Sequence, residues 1–306
     1  MSRMDDALEV RFWGVRGSLP SPGPDTVVVG GNTACVEVTG GGSRVILDAG
    51  SGLRALGDAL VARGEHREVD LLLTHVHWDH VMGLPFFTPL YIPGTRVRIT
   101  AGPLGSALGL TLRDVLAKQM MQPMFPVDFT SVGAEVTTRE IPRRGRFEVG
   151  ALMIDTAELV HPDPVTAYRV SFGGRSVVFA TDTEHRDGEI DPTLAQLARG
   201  ADVLIYDAQY TPEEYDGRVG PSRRGWGHST YEAGVALARA AGVKSLALFH
   251  HDPRRSDDAV AEIVQRARAI FPETIAAREG VAMRFEACVS DRGGPAVVEA
   301  PPSSVS

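Results

Sequence analysis

The chain reads as an α/β protein built from two mixed β-sheets packed together with helices on the outside, and three observations carry that reading. Short runs of branched and apolar residues recur between glycine-rich turns in the first third of the sequence. Helical spacing interrupts them there only once. Further strands then alternate with helices that carry recognisable caps toward the C-terminal end.

In chain order, Val10–Trp13, Thr33–Val38, Arg44–Leu47 and Val69–Leu73 read as strands, with Gly40-Gly41-Gly42 as the turn between the second and third. Leu53, Leu56, Leu60 and Val61 recur at helical spacing, which predicts an amphipathic helix over Leu53–Arg63. Val97–Thr100, Val136–Ile141, Leu152–Val160, Ala167–Phe172, Ser176–Ala180, Val203–Tyr206 and Ser245–Phe249 complete the strand pattern. Asp191 before Pro192 is an N-cap followed by a first helical residue. Ser229-x-x-Glu232 has the form of a capping box for a helix running to about Ala241. Ser256 caps a last helix with Val260, Ile263, Val264, Ala267 and Ile270 on one face. The segment Leu112–Phe129 contains Met120, Met121, Met124 and Phe125. Methionine fills irregular gaps, so this stretch is either core, a lid over a pocket or a homodimer contact. Trp13 and Trp78 are read as packing residues. Residues 1–290 are expected to form one domain, and the Pro/Ser/Gly-rich tail 291–306 to be disordered.

A chain of 306 residues can bury a full core. Its formal charge of −8 argues against a broad phosphate-binding surface, and so against long nucleic acid as a partner. Arg143-Arg144-x-Arg146 and Arg223-Arg224 are either a local basic rim or solvated faces. Two distant cysteines, Cys35 and Cys288, fit a reducing compartment. The N-terminus lacks a charged-then-apolar signal pattern, and no apolar run approaches the ~20 residues of a membrane span. The expectation is a soluble cytoplasmic protein.

The most informative stretch is Leu71-Leu72-Leu73-Thr74-His75-Val76-His77-Trp78-Asp79-His80. An apolar strand ends in three of the chain's nine histidines and an aspartate within six residues. His75 and His77 alternate, so both rings can face one way, whereas the adjacent Asp79 and His80 diverge. Imidazole and carboxylate donors suit zinc, with manganese or iron also compatible.

His75-x-His77-x-Asp79-His80 resembles the signature of the metallo-β-lactamase superfamily, the αββα-sandwich metallohydrolases. The resemblance implies further ligands at later strand ends, and His161, Asp182 and His250 stand there in the expected order. The order, with His228-Ser229-Thr230 upstream of the last strand, is similar to the ribonuclease Z-like branch. Arg11-Phe12-Trp13-Gly14-Val15-Arg16-Gly17-Ser18, Gly30-Gly31-Asn32-Thr33 and Asp48-Ala49-Gly50-Ser51-Gly52 resemble a bacterial group of small phosphodiesterase-like proteins. That group resembles class II cyclic-nucleotide phosphodiesterases and the cyclic phosphodiesterase of phosphonate metabolism. Ribonuclease Z-type sequences usually carry a glutamate three residues before the shared aspartate; Phe179 stands there here, leaving Asp207 or Glu184 as a substitute partner for His228. The long arm that grips transfer RNA is also absent from the sequence.

On this reading His75, His77 and His161 hold one divalent ion and Asp79, His80 and His250 the other, with Asp182 bridging or, more plainly, capping a turn. His251 competes with His250 for the last position. Asp79 and His228 are the catalytic candidates: His228, opening a helix, would contact a phosphoryl oxygen or protonate the leaving group, or else simply pack. Asp48 is expected to brace a ligand histidine, with Asn32, Thr33, Gly50 and Gly52 shaping loops beneath. The leading expectation is a dinuclear hydrolase of a small, cyclic-nucleotide phosphodiester. The alternatives are an RNA 3′-processing nuclease or exonuclease of the ribonuclease Z type, and a metal-stabilised binding or sensor domain without turnover.

Overall fold

A computed structural model describes residues 6–104, 109–186 and 188–288. The predicted tail 291–306 lies outside the described residues. Strands β1 (Ala7–Gly14), β2 (Cys35–Gly40), β3 (Ser43–Leu47), β4 (Glu68–Leu73), β5 (Arg96–Ala101) and β6 (Glu135–Glu140) form the first sheet. Strands β7 (Gly145–Val149), β8 (Leu152–Leu159), β9 (Val165–Phe172), β10 (Arg175–Ala180), β11 (Val203–Asp207), β12 (Leu246–Phe249) and β13 (Thr274–Ala276) form the second. Strand β14 (Ala282–Glu286) returns to the outer edge of the first sheet, beside β1.

Both sheets are mixed. In the first, β1, β2 and β3 run antiparallel and β3 to β6 parallel. In the second, β7 to β10 are antiparallel and β10 to β13 parallel. The helices are α1 (Gly52–Arg63), α2 (Trp78–Val81), α3 (Leu112–Gln119), α4 (Pro192–Ala198), α5 (Pro212–Tyr215), α6 (Tyr231–Ala241) and α7 (Asp257–Arg268). One apolar cluster fills the space between the sheets and continues through the second sheet to α4, α6 and α7. A second lies between the first sheet and α1 and α3. Phe12, Phe179 and Phe249 meet in the first cluster, all fully buried, and each such side chain contributes roughly 1.5–3 kcal/mol. The predicted sandwich of two sheets flanked by helices is what forms.

Three strands escape the sequence pattern. β7 and β14 alternate between half-buried and exposed positions and β13 has three residues, so none shows a sustained apolar run. The cap of α6 also differs from expectation. Thr230, not Ser229, accepts from the N–H of Ala233 at 3.3 Å. Ser229 Oγ is committed elsewhere, 2.9 Å from His185 Nδ1 and 3.0 Å from the Tyr206 hydroxyl. The methionine-rich segment divides: Met120 is buried in the core beyond α3, so it is no part of a lid, while Met121 and Met124 are exposed. No described helix is long and apolar enough to cross a membrane.

Candidate metal centre

The two sheets bring the C-terminal ends of their strands to one edge of the sandwich, where α/β folds place their ligands. Asp48 follows β3, His75 follows β4, Asp182 follows β10, Asp207 ends β11 and His250 follows β12. His161 stands just past β8. Antiparallel geometry would scatter these exits over both edges; the parallel blocks β3–β4 and β10–β12 collect them.

His75, His77, His161 and Asp182 each bring one donor atom within 4.8 Å of the others. Asp79, His80 and His250 form a second such group, and Asp182, Asp207, His228 and His250 a third. Asp182 joins them with different oxygens. Its Oδ2 lies 3.8 Å from His75 Nε2, while its Oδ1 lies 3.2 Å from both His80 Nε2 and His250 Nε2. A carboxylate whose two oxygens face two donor groups is placed to be shared between two cations. The bland alternative, a turn cap, accounts for neither contact.

The imidazoles are held from behind. His75 Nδ1 lies 3.0 Å from Thr74 Oγ1, and His80 Nδ1 lies 2.7 Å from Asp48 Oδ2. His250 Nδ1 lies 2.8 Å from Gln209 Oε1, and His161 Nδ1 lies 3.0 Å from the Asp163 carbonyl. His77 is held through Nε2, 2.9 Å from Asp163 Oδ2, which leaves Nδ1 as its donor toward an ion. Fixing one ring nitrogen sets both the orientation and the tautomer of the other, the usual arrangement around a metal-binding histidine. Asp79 is fixed too, its Oδ2 accepting from the Ser18 N–H at 2.7 Å.

His75 Nε2 and His80 Nε2 are buried and, among the described residues, face carboxylate oxygens without making a hydrogen bond of good geometry. Buried polar atoms are rarely left so, because each costs about 1–3 kcal/mol. Both point into the cluster, and a cation there would satisfy both. The charges agree. Burial opposes a charge on His80, yet Asp79, Asp182 and Asp48 outweigh it and hold its pKa well above the usual range. The same three carboxylates would hold a divalent ion instead of a proton. Burial lowers the pKa of His75 well below the ordinary value, keeping it neutral as a ligand must be. Asp182, although buried, is held well below the carboxylate range by His250, His80 and His75. Nitrogen and oxygen donors of this kind fit divalent metal ions.

Of the two competing histidines, His250 faces the cluster. His251 turns away, its Nε2 3.3 Å from the Ala277 carbonyl, and burial with the nearby Arg16 charge lowers its pKa to about 3. His228 Nδ1 lies 2.9 Å from Asp207 Oδ2, so Asp207 fills the role that Phe179 leaves open. Burial would lower the His228 pKa, but Asp207, with Asp182 and Asp79, raises it to about 9. Asp207, rather than a helix terminus, sets its charge, since α6 begins only after the Thr230 cap. Glu184 serves a different purpose, accepting from the N–H groups of Gly225 at 2.6 Å and Gly227 at 2.9 Å.

Backbone strain gathers at this edge. The described non-glycine residues with positive φ are Ser18 (61°), Asp48 (61°), Asp182 (53°) and His250 (59°), and all border the cluster. Each left-handed residue costs roughly 1–2 kcal/mol, which the surrounding structure sustains in order to turn a strand end inward. A side chain at Gly17 would sit 2.3 Å from His250 Nδ1, so only glycine lets the chain pass there. The early motif is the floor of the centre. Gly17 N–H donates to the His251 carbonyl at 3.1 Å, His251 N–H donates to Val15 at 3.1 Å, and buried Arg16 donates to the Gly30 and Arg255 carbonyls, both at 2.7 Å. Asn32, Thr33 and Ser51 interlock beside it, as expected of loop-shaping residues.

Sequence reasoning did not assign Thr74, Asp163, Gln209 or the Ser18 N–H. Their only signal was nearness in sequence: Asp163 stands two residues after His161, and Gln209 two after Asp207. Trp78 departs from its expected packing role, being 66% exposed as the first residue of α2 while Asp79 and His80 turn inward. Trp13 does pack, donating to Glu37 at 3.0 Å. The basic rim is largely neutralised: Arg143 pairs with Glu158, Arg146 with Asp155 at 2.6 Å and Arg224 with Asp216 at 2.6 Å.

The family model described as a beta-lactamase superfamily domain matches residues 43–251. A ribonuclease Z of Bradyrhizobium sp. (strain ORS 278) is 27% identical over 313 residues, covering 87% of this chain and 96% of its own. Among solved structures, a metallo-β-lactamase fold protein from Bacillus subtilis superposes with a TM-score of 0.68 at 18% identity, over 91% of this chain and 99% of its own. A diphosphatase from the PhnP family gives 0.65 at 20% identity, over 92% and 100%.

Proposed function

The chain belongs to the β-lactamase superfamily and is a metal-dependent hydrolase, and from that premise we propose that it hydrolyses RNA phosphodiester bonds as a ribonuclease of the ribonuclease Z type. One observation carries the reading of the chemistry: Asp182 sits between two groups of imidazole donors, and a His228–Asp207 pair stands beside them. The relatives matched along nearly their whole length bear the name ribonuclease Z, which favours RNA over the cyclic nucleotide that the sequence first suggested. The cyclic-nucleotide reading keeps two arguments, the formal charge of −8 and the absence from the sequence of a long arm to grip transfer RNA. A domain without turnover would have little use for a full donor set with braced histidines.

In this proposal His75, His77 and His161 hold one ion and Asp79, His80 and His250 the other, with Asp182 shared. The donors suit zinc, and manganese or iron less specifically. When bound, such ions supply Lewis-acid charge that activates water near neutral pH and offsets the phosphoryl oxygens. The protein's own residues do the rest. Asp79, pinned by the Ser18 N–H, orients the attacking water. As the water oxygen bonds to phosphorus and gives up a proton to solvent, the bond from phosphorus to the leaving ribose oxygen breaks, and that oxygen needs a proton. His228 gives it from Nε2, because Asp207 holds Nδ1; such a role contributes ~10²–10⁴-fold.

The test is a comparison with one metal-loaded preparation at matched salt. The substrates are a structured RNA hairpin with a 3′ extension and 3′,5′-cyclic AMP. The proposal expects a higher kcat/KM on the RNA. A preference for cyclic AMP would overturn it and restore the small-substrate reading.

A further inference from the structure

One cluster beside His228 is not used by the chemistry above. The Arg223 guanidinium lies 4.5 Å from the ring centroid of Trp226 and 5.7 Å from that of Tyr210. Tyr210 meets His228 edge-on, with ring centroids 5.9 Å apart at 79°. Trp226 is 52% exposed, two residues before His228. Arg218 and Arg224, near it in sequence, pair with Asp216, whereas among the described residues Arg223 makes no ion pair and lies instead against the two rings.

This loop is fastened to the metal donors. Glu184, two residues past Asp182, accepts from the N–H of Gly225 and of Gly227, the two residues that flank Trp226. Gly227 has φ +85°, and a side chain there would come within 2.2 Å of His161 Cδ2. The loop therefore runs flush against a ligand histidine and presents the indole outward at a fixed place. A large exposed aromatic on a braced loop, backed by an uncompensated guanidinium, is the equipment for stacking a nucleobase and meeting its phosphate.

We propose that Arg223, Trp226 and Tyr210 form a nucleotide clamp. Trp226 stacks on the base next to the scissile bond, Arg223 meets the adjoining phosphate, and Tyr210 holds Arg223 in register with His228. The proposal rests on the reading of the centre as an RNA phosphodiesterase.

The experiment measures kcat/KM for wild type, W226A, W226F and R223K on three substrates: a short single-stranded RNA, the same RNA with an abasic residue beside the scissile bond, and methyl p-nitrophenyl phosphate. The expected result is that W226A lowers the ratio of kcat/KM on RNA to that on the methyl ester about tenfold, mainly through KM. W226F should recover most of that ratio, and R223K, which keeps the charge but not the planar fork, should not. The abasic RNA should be a poor substrate for wild type and no worse for W226A. Equal losses on all three substrates, or no loss on any, would overturn the clamp. Should wild type cleave no RNA, the phosphodiesterase reading fails by itself, and binding still decides the clamp. Saturable quenching of tryptophan fluorescence by adenosine 5′-monophosphate, lost in W226F, supports it. Quenching that persists unchanged in W226F, or that is absent from wild type, refutes it.

Discussion

The two halves of the proposed metal centre are built from similar donors in different surroundings. The side chains of His80 and His250 are fully buried and that of Asp79 is 10% exposed. On the other side the His77 side chain is 43% exposed, and the Asp163 carboxylate that steadies it is 66% exposed. The buried half is braced by groups the fold itself immobilises: Asp48, which also accepts from the Thr74 N–H at 2.7 Å, Gln209, and the Ser18 N–H. The open half depends partly on a loop. A hydrogen bond in water is weaker than one in the interior, so the open half should bind its ion less tightly and admit solvent and substrate. The buried half should fix the geometry.

The largest effect should come from the residue common to both. Asp182→Ala should strip both ions and lower turnover by at least ~10³-fold, since it removes several kcal/mol of stabilisation. Metal analysis beside a circular dichroism spectrum checks this; a variant that keeps both ions would show that Asp182 is not shared.

His80→Ala and His77→Ala break the comparison directly. His80→Ala should lose activity beyond rescue by added metal. His77→Ala should keep about one ion per chain and regain activity as free metal is raised, because only the open half is weakened. Equal metal loss in the two variants would remove the asymmetry.

His228 stands between the halves, its ring 4.9 Å from His250 and 5.9 Å from His161. His228→Ala should leave both ions in place and slow cleavage by ~10²-fold when the leaving group is an alkoxide. The loss should shrink for p-nitrophenolate, which needs little protonation. Identical losses for the two leaving groups would make His228 a phosphate-binding residue and not an acid.

The smallest effect concerns His251, behind the buried half. Burial and Arg16 hold its pKa at about 3, below its ordinary 6.5. The folded protein therefore keeps it neutral, whereas the unfolded chain protonates it below about pH 6.5. Its contribution is complete above that pH and is lost as pH falls toward 3, at up to about 1.4 kcal/mol per pH unit. His251→Gln should flatten that part of the acid side of the stability profile. Urea midpoints between about pH 6 and pH 4 measure it; an unchanged slope would mean that His251 is not held neutral.

Much of the buried half was legible in the sequence. Asp79 and His80 close the histidine-rich stretch that begins where an apolar strand ends, and His250 follows another strand. Asp48 was legible as a brace because it, too, follows a strand. Residues that act by folding back from a distant loop were not legible in this way. Whether Asp207 or Glu184 would support His228 depended on where β11 ends relative to β10, which spacing does not state. The cap at Thr230 was misplaced by one residue because two hydroxyls stand side by side, and only the structure shows that Ser229 is engaged by His185 and Tyr206. Trp78 left its expected packing place, and Met120 took one of the alternatives left open for it, the core. A short helix turns Trp78 out, and the residue after α3 turns Met120 in. β13 and β14 were missed because short edge strands lack the apolar run that marks a central one.

In the proposed mechanism two divalent ions, held by these seven residues, support the hydrolysis. The most direct test counts metal per chain on the purified protein, by elemental analysis, while following phosphodiester cleavage during chelation and re-addition. The expected result is close to two ions per chain, activity lost with EDTA and restored by added metal, the open-half ion leaving first. Full activity in EDTA with no bound metal would contradict it.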